Sequence, residues 1–229
     1  MPRRALVERR PWLLLSLATA LAHAWFLVSR TPVPGVYFMA LEALPLWLLS
    51  AYAVLRHKGR DTQLLALMLG LEGLAGALSM IYPGLARTIM MLGWFAGLSL
   101  FLSHRTQAPD VNRRIGTAGL FLLTPLLCYF AASRIGAAVP LFYGLALGGL
   151  AASAWMSTFA QSRVGVGGVL IVFGGVLQIT VPDYLAGEAP QAVLAWAALY
   201  IGNLVLATGV TGELRMRAEV QRVDWDDFG

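Results

Sequence analysis

The chain has 229 residues, of which 58% are hydrophobic and only 13% charged, and its net charge is +5. Soluble domains carry about 25% charged residues, and half that density cannot wet a globule of this size. A disordered chain, a nucleic-acid binder and an ordinary cytosolic enzyme are therefore excluded. The single cysteine, Cys128, excludes a disulfide framework and a cysteine-based metal site. A mean hydropathy of +0.69 points to one polytopic membrane domain.

A span needs roughly 20 predominantly apolar residues. Eight such runs follow one another, at about 12–29, 36–55, 63–82, 85–103, 115–132, 137–160, 164–181 and 191–210. The expected fold is an all-α polytopic bundle of about eight transmembrane helices. A basic segment, 1–11, precedes the membrane domain of 12–210, and a short tail, 211–229, follows it. The connections are short and hold most of the Arg, Lys, Asp and Pro. The first run admits a second reading: Arg9 and Arg10, the apolar stretch from Trp12 and the small-residue site Ala22-His23-Ala24 resemble a cleavable signal peptide. The apolar stretch continues through Phe26, Leu27 and Val28 to full span length, which favours an uncleaved helix.

The basic residues orient the spans. Arg3, Arg4, Arg9, Arg10, Arg56, Lys58, Arg60, Arg105, Arg113, Arg114, Arg163, Arg215, Arg217 and Arg222 fall on one side, and only Arg30, Arg87 and Arg134 on the other. The positive-inside rule then puts both termini in the cytoplasm, as in a bacterial inner-membrane protein. The basic residues are expected to face anionic lipids of the cytoplasmic leaflet rather than nucleic acid.

Small residues let helix backbones approach in lipid. They recur at Gly93 and Gly97, at Gly144 and Gly148, in the Gly70/Gly73/Gly76 stripe, and at Gly165, Gly167, Gly168, Gly174 and Gly175. The Gly174-Gly175 pair is expected to leave room for a neighbouring helix or a substrate. Pro45, Pro125 and Pro140 are expected to kink their spans.

Ionisable groups deep in a span cost about 2.5–3.5 kcal/mol and mark function by default. Glu72 stands at the centre of the third run, and Glu42 about a third of the way into the second. Asn203 lies near the centre of the eighth, with Tyr200 almost one turn away. His104 ends the fourth run at the cytoplasmic boundary. His23 is expected to make an interhelical hydrogen bond, and Gln178 to satisfy a backbone group. A carboxyl in apolar surroundings favours its neutral form, which serves a general acid or a proton relay. No catalytic serine motif, Walker loop, paired-histidine motif or dinucleotide glycine motif in its proper context occurs, and no cofactor or metal is expected.

Taken in order, these motifs resemble the YhhN-type lysoplasmalogenase family over roughly residues 36–212. Glu42-Ala43-Leu44-Pro45-Leu46 is similar to its Lys-Pro-Leu-Pro region, and Gly70-Leu71-Glu72-Gly73-Leu74 to its Gly-Asp helix. Gly93 to His104 resembles its Gly/Phe-rich helix ending in His. Gly167 to Gly175 resembles the stretch that leads into Ser-Asp, and Tyr200-Ile201-Gly202-Asn203-Leu204 its Tyr-x-Ala-Gln-x element. Glu72 replaces an Asp, Asn203 a Gln, Glu42 a Lys and Gly175 the second Asp.

The resemblance implies hydrolysis of the alkenyl ether bond of a lysophospholipid. Glu72 would act as acid, Glu42 as base or cation stabiliser, and Asn203 and Tyr200 would position water or head group. His104 would assist from the cytoplasmic side, and Gly175 would line the substrate. Two alternatives are a non-catalytic lipid or small-molecule binder of the same fold and a proton-coupled transporter that uses Glu42 and Glu72 as a relay.

Overall fold

The computed structural model describes residues 10–29, 35–132, 138–180 and 189–226. Eight α-helices account for nearly all of them: α1 (Arg10–Ser29), α2 (Gly35–Arg56), α3 (Arg60–Leu78), α4 (Pro83–Ser103), α5 (Val111–Ala131), α6 (Ala138–Met156), α7 (Val166–Thr180) and α8 (Ala189–Asp226). No strand is present among the described residues, and the chain is an all-α membrane-type bundle. Seven of the helices are long and apolar enough to cross a bilayer. The eighth, α3, falls short because Arg60, Asp61 and Gln63 crowd its first turn and Glu72 interrupts its centre.

Consecutive helices pack as hairpins except α4 and α5, which do not pack on each other, and further contacts of α4 with α6 and of α8 with α1, α2 and α3 close the bundle. Each peptide group bonds within its own helix, which is the only economical arrangement where water is absent. Leu65, Met68, Trp94, Leu100, Leu147, Leu150, Ile171 and Leu206 form the continuous core. The peripheral helices α1 and α5 keep large apolar side chains outward, among them Trp25, Leu21, Leu122 and Phe130, as lipid contact requires.

The glycines work mostly as contact points between backbones. A Cβ at Gly174 would stand 2.7 Å from the Leu199 amide and 2.8 Å from the Ala195 carbonyl of α8. Gly167 and Gly202 face each other across the same seam, each within 2.9 Å of the other's carbonyl by the same measure. Helices α2 and α5 continue through Pro45 and Pro125. Because α6 begins at Ala138, Pro140 lies in its first turn, where its missing N–H costs nothing.

The C-terminal end departs from expectation. Instead of ending near residue 210, α8 continues as helix to Asp226. Its extension is rich in helix formers and is stapled by Arg215–Glu219 (2.8 Å) and Arg217–Glu213 (3.3 Å), both at i,i+4 spacing. Glu213 accepts a hydrogen bond from the Ala160 amide at 2.5 Å, just ahead of a π-helical turn, Gln161–Gly165, that leads into α7. Arg217 donates to the Thr158 carbonyl and hydroxyl. The connections after α4 and α6 are joined by a bridge between Arg105 and Ser157 and by hydrogen bonds from Thr158 N to His104 O and from Thr106 N to Met156 O. The end of the molecule carrying most of the basic side chains is thus tied together by polar contacts.

Candidate functional site

Glu72 is 3% exposed, in the middle of α3. Its helix is pressed against α4 at Gly93, where a Cβ would meet the Met68 carbonyl at 3.1 Å and Glu72 Cγ at 3.6 Å. The small residue brings the carboxyl into the bundle rather than toward lipid. From α8, Asn203, fully buried, donates its Nδ2–H to Glu72 Oε2 at 2.5 Å and a second bond to the Leu199 carbonyl at 3.1 Å. From α4, the buried Trp94 indole bears on the same carboxyl. Three helices therefore converge on one buried acid.

The hydrogen-bonding capacity there is incompletely used. The Trp94 indole N–H meets the Glu72 carboxyl only off-line, and Asn203 Oδ1 is buried without a hydrogen-bond partner. Leaving a buried polar atom unmatched costs about 1–3 kcal/mol, and native interiors rarely tolerate several together. A carboxyl oxygen, an indole N–H loosely engaged with it and an unpaired amide oxygen at one place form a set able to bind an O–H or ether oxygen of a ligand. This is the strongest local mark of a functional centre in the described chain.

The other residues expected to join it occupy different places. Glu42, 8% exposed, meets α3 at Gly76, where a Cβ would lie 3.1 Å from Glu42 Cγ, and its carboxyl pairs with the Ser79 hydroxyl. Those contacts are one and two helical turns beyond Glu72, roughly 6 to 10 Å along the axis. Tyr200 shares its hydroxyl with Ser16 of α1 at 2.9 Å, and Ser16 donates to the Pro45 carbonyl at 2.7 Å. Gly175 faces α6, where a Cβ would meet Leu147 Cδ2 at 2.6 Å. The Gly175 carbonyl accepts from the Tyr143 hydroxyl at 3.4 Å, which also reaches Gln178 Oε1 at 3.3 Å. Tyr143 in turn packs edge-on against Trp94, with ring centroids 4.8 Å apart. Gly175 is thus linked to Glu72 only through two aromatic rings.

His104 caps the C-terminal end of α4, with Nε2 3.0 Å from Asp61 Oδ2 at the start of α3. Eleven residues of α3 separate Asp61 from Glu72, roughly 16 Å of helix. His23 stands between the rings of Phe38 (5.1 Å) and Trp196 (4.5 Å), and its Nδ1 has no partner. The two flanking rings come from α2 and α8, so His23 is held by aromatic contacts between three helices. Among the described residues no three His, Cys, Asp or Glu side chains converge as a metal site would require.

Sequence reading missed Trp94, Ser79, Ser16 and Asp61. Trp94 had a usable signal, since it adjoins Gly93 on the helix next to the one bearing Glu72. Asp61 had another, because antiparallel neighbours place the start of α3 beside the end of α4. No family model, curated protein or solved structure matches the chain.

Proposed function

We propose that the chain is an integral membrane hydrolase of the lysoplasmalogenase type, acting on the alkenyl ether bond of a lysophospholipid with Glu72 as its proton donor. The observation that carries this reading is the Glu72–Asn203 contact inside the bundle, with the Trp94 indole beside the same carboxyl and Asn203 Oδ1 left unpartnered. The order of motifs that resemble that family supports it further.

The chemistry asks for one well-placed carboxyl. A neutral Glu72 gives its proton to the alkenyl carbon one atom removed from the ether carbon, and the positive charge settles on the ether carbon and oxygen. Asn203 holds Oε2 still, so the carboxylate just formed faces that cation without rearranging. Water adds to the ether carbon, Glu72 takes up the proton that water releases, and a hemiacetal results. Its collapse yields a fatty aldehyde and the glycerol hydroxyl of the head group. Glu72 ends the cycle as it began, protonated, so one carboxyl serves as acid and then as base. Glu42 has no necessary part in these steps, consistent with its place one to two turns away.

Aldehyde release from a lysoplasmalogen by purified protein tests the reading, with Glu72→Gln as control. Release by the unaltered protein that falls about 100-fold or more in the variant supports it. Equal turnover by both proteins, or none by the unaltered one, removes it. One observation favours a second reading, a lipid binder without turnover: Leu147 closes the space at Gly175, where the resembling family carries its second carboxylate. Stoichiometric lysolipid binding with no aldehyde would select that reading.

A further inference from the structure

Away from the Glu72 centre, the basic end of the molecule holds a groove of about 360 Å³. That lies within the range of small-molecule sites, about 300–1,000 Å³. Its walls are Thr106 and Asp110 of the connection after α4, Arg113 in the first turn of α5, and Thr158 of the connection after α6. The two connections are braced against each other, with Thr158 N donating to His104 O at 2.7 Å and Thr106 N to Met156 O at 3.1 Å. The groove is therefore preformed. It is also remote from Glu72: His104 meets Asp61, and eleven residues of α3, roughly 16 Å, lie between Asp61 and Glu72.

What the groove offers a ligand follows from how its hydroxyls are used. Arg113 Nη1 donates to Thr106 Oγ1 at 2.9 Å and to the Ser157 carbonyl at 2.5 Å. Arg217 Nη2 donates to Thr158 Oγ1 at 3.2 Å and to the Thr158 carbonyl at 3.3 Å. Each threonine oxygen thus accepts from an arginine, and each hydroxyl keeps its own proton to give. Among the described residues neither proton has an acceptor, and Arg113 Nη2 has none either. Asp110, the acid of this wall, is engaged by the Arg113 amide at 3.3 Å and lies 3.8 Å from Arg113 Nε. Arg105 and Arg114 adjoin the lining residues in sequence and have no carboxylate partner among the described residues. Asp110 and Glu213 offset Arg113 and Arg217, so the charges of Arg105 and Arg114 stand in excess. The positive end of the α5 dipole adds to them. A guanidinium edge with hydroxyl donors to its side suits a tetrahedral oxyanion better than a planar carboxylate, and two uncompensated charges suit a dianion.

We propose that this groove binds a phosphate monoester, carried by a soluble compound or by a lipid, with Thr106, Thr158 and Arg113 as its donors. The bound oxyanion bridges the two connections, which otherwise meet through backbone bonds and Arg113. The site is separate from Glu72 and does not depend on the hydrolase reading, so its test needs no turnover.

Calorimetric titration of the full chain in a neutral detergent, at one ionic strength, is run in two arms. The soluble arm compares methyl phosphate with dimethyl phosphate, and the lipid arm compares phosphatidic acid with phosphatidylglycerol in mixed micelles. Saturable binding of a monoester, about tenfold tighter than its diester, is expected in at least one arm. Binding of methyl phosphate identifies a soluble ligand, and binding of phosphatidic acid alone identifies a lipid. Thr106→Val combined with Thr158→Val keeps the side-chain volumes and should weaken binding about tenfold or more. Arg113→Gln should abolish it, whereas Arg87→Gln at the other end of α4 and Glu72→Gln should leave it unchanged. Arg113 also holds the Ser157 carbonyl, so its variant is checked for a folded peak in size-exclusion chromatography, and the threonine pair decides if that peak is lost. No saturable monoester binding in either arm overturns the proposal, as does equal affinity for the diesters or an affinity that survives loss of both hydroxyls.

Discussion

The two faces of α8 hold the bundle together by opposite means. Toward α7 it presents Ala195, Leu199 and Gly202, and glycines on both helices bring the backbones into contact. Toward α1, α2 and α3 it presents Trp196, Tyr200 and Asn203, each met by a side chain of another helix. The first seam is steric, and its sequence is constrained by volume. The second is chemical, and its sequence is constrained by donor and acceptor matching. Lipid supplies no hydrophobic drive for helices to associate, so both devices are needed, but only the polar seam leaves groups free for a ligand.

That contrast can be broken in graded steps. Gly174→Leu should have the largest effect, because its Cβ would meet backbone rather than a movable side chain. Even added methylenes in a filled core cost about 1–3 kcal/mol each time they force a shift. Loss of the folded peak in size-exclusion chromatography, or a strongly lowered Tm in detergent, is the expected result; an unchanged Tm would show that the seam is not steric. Glu72→Gln should leave Tm within a few degrees while removing about 100-fold or more of any aldehyde release, which separates a chemical position from a packing one. Asn203→Ala comes next, with about a tenfold drop in turnover and a modest fall in Tm, since its hydrogen bond to the neutral carboxyl contributes about 0.5–1.5 kcal/mol at rest. Tyr200→Phe removes the Ser16 hydrogen bond and should cost about 1 kcal/mol in unfolding free energy with turnover unchanged. The smallest effect is expected at the basic end, where His104→Ala loses a partly exposed contact with Asp61 worth about 0.2–1 kcal/mol. A large loss of turnover there would restore His104 to the site.

The sequence carried the helices well because length and apolar run suffice to define a span: all eight begin, and all but α8 also end, within four residues of the expected position. The extension of α8 escaped notice because its charges were read only as a topology signal, although Glu213, Arg215, Arg217 and Glu219 also stand at helical pairing distance. Glu72 and Asn203 were legible singly, as polar residues at mid-span. Their contact was not, since 131 residues separate them and only the closure of α8 onto α3 brings them together. Glu42 and Glu72 invited pairing by chemistry alone, but the pitch of α3 assigns them to different turns. For His104 the boundary position was plain in the sequence, and its distance from the centre follows directly from helix rise.

The shortfall of α3 in apolar length bears on how the chain enters the bilayer. A segment opening with Arg60, Asp61 and Gln63 and carrying Glu72 at its centre gains less from lipid than the helices before and after it. Only His57 to Gly59 separate it from its neighbour α2, and Trp47 of α2 donates to the Gly70 carbonyl of α3 at 3.1 Å while Ser50 donates to the Ala66 carbonyl at 2.9 Å. The two are therefore expected to leave the translocon as one helical hairpin, with α2 as chaperone to α3. Biogenesis of the chain then depends on a contact formed before the rest of the bundle exists.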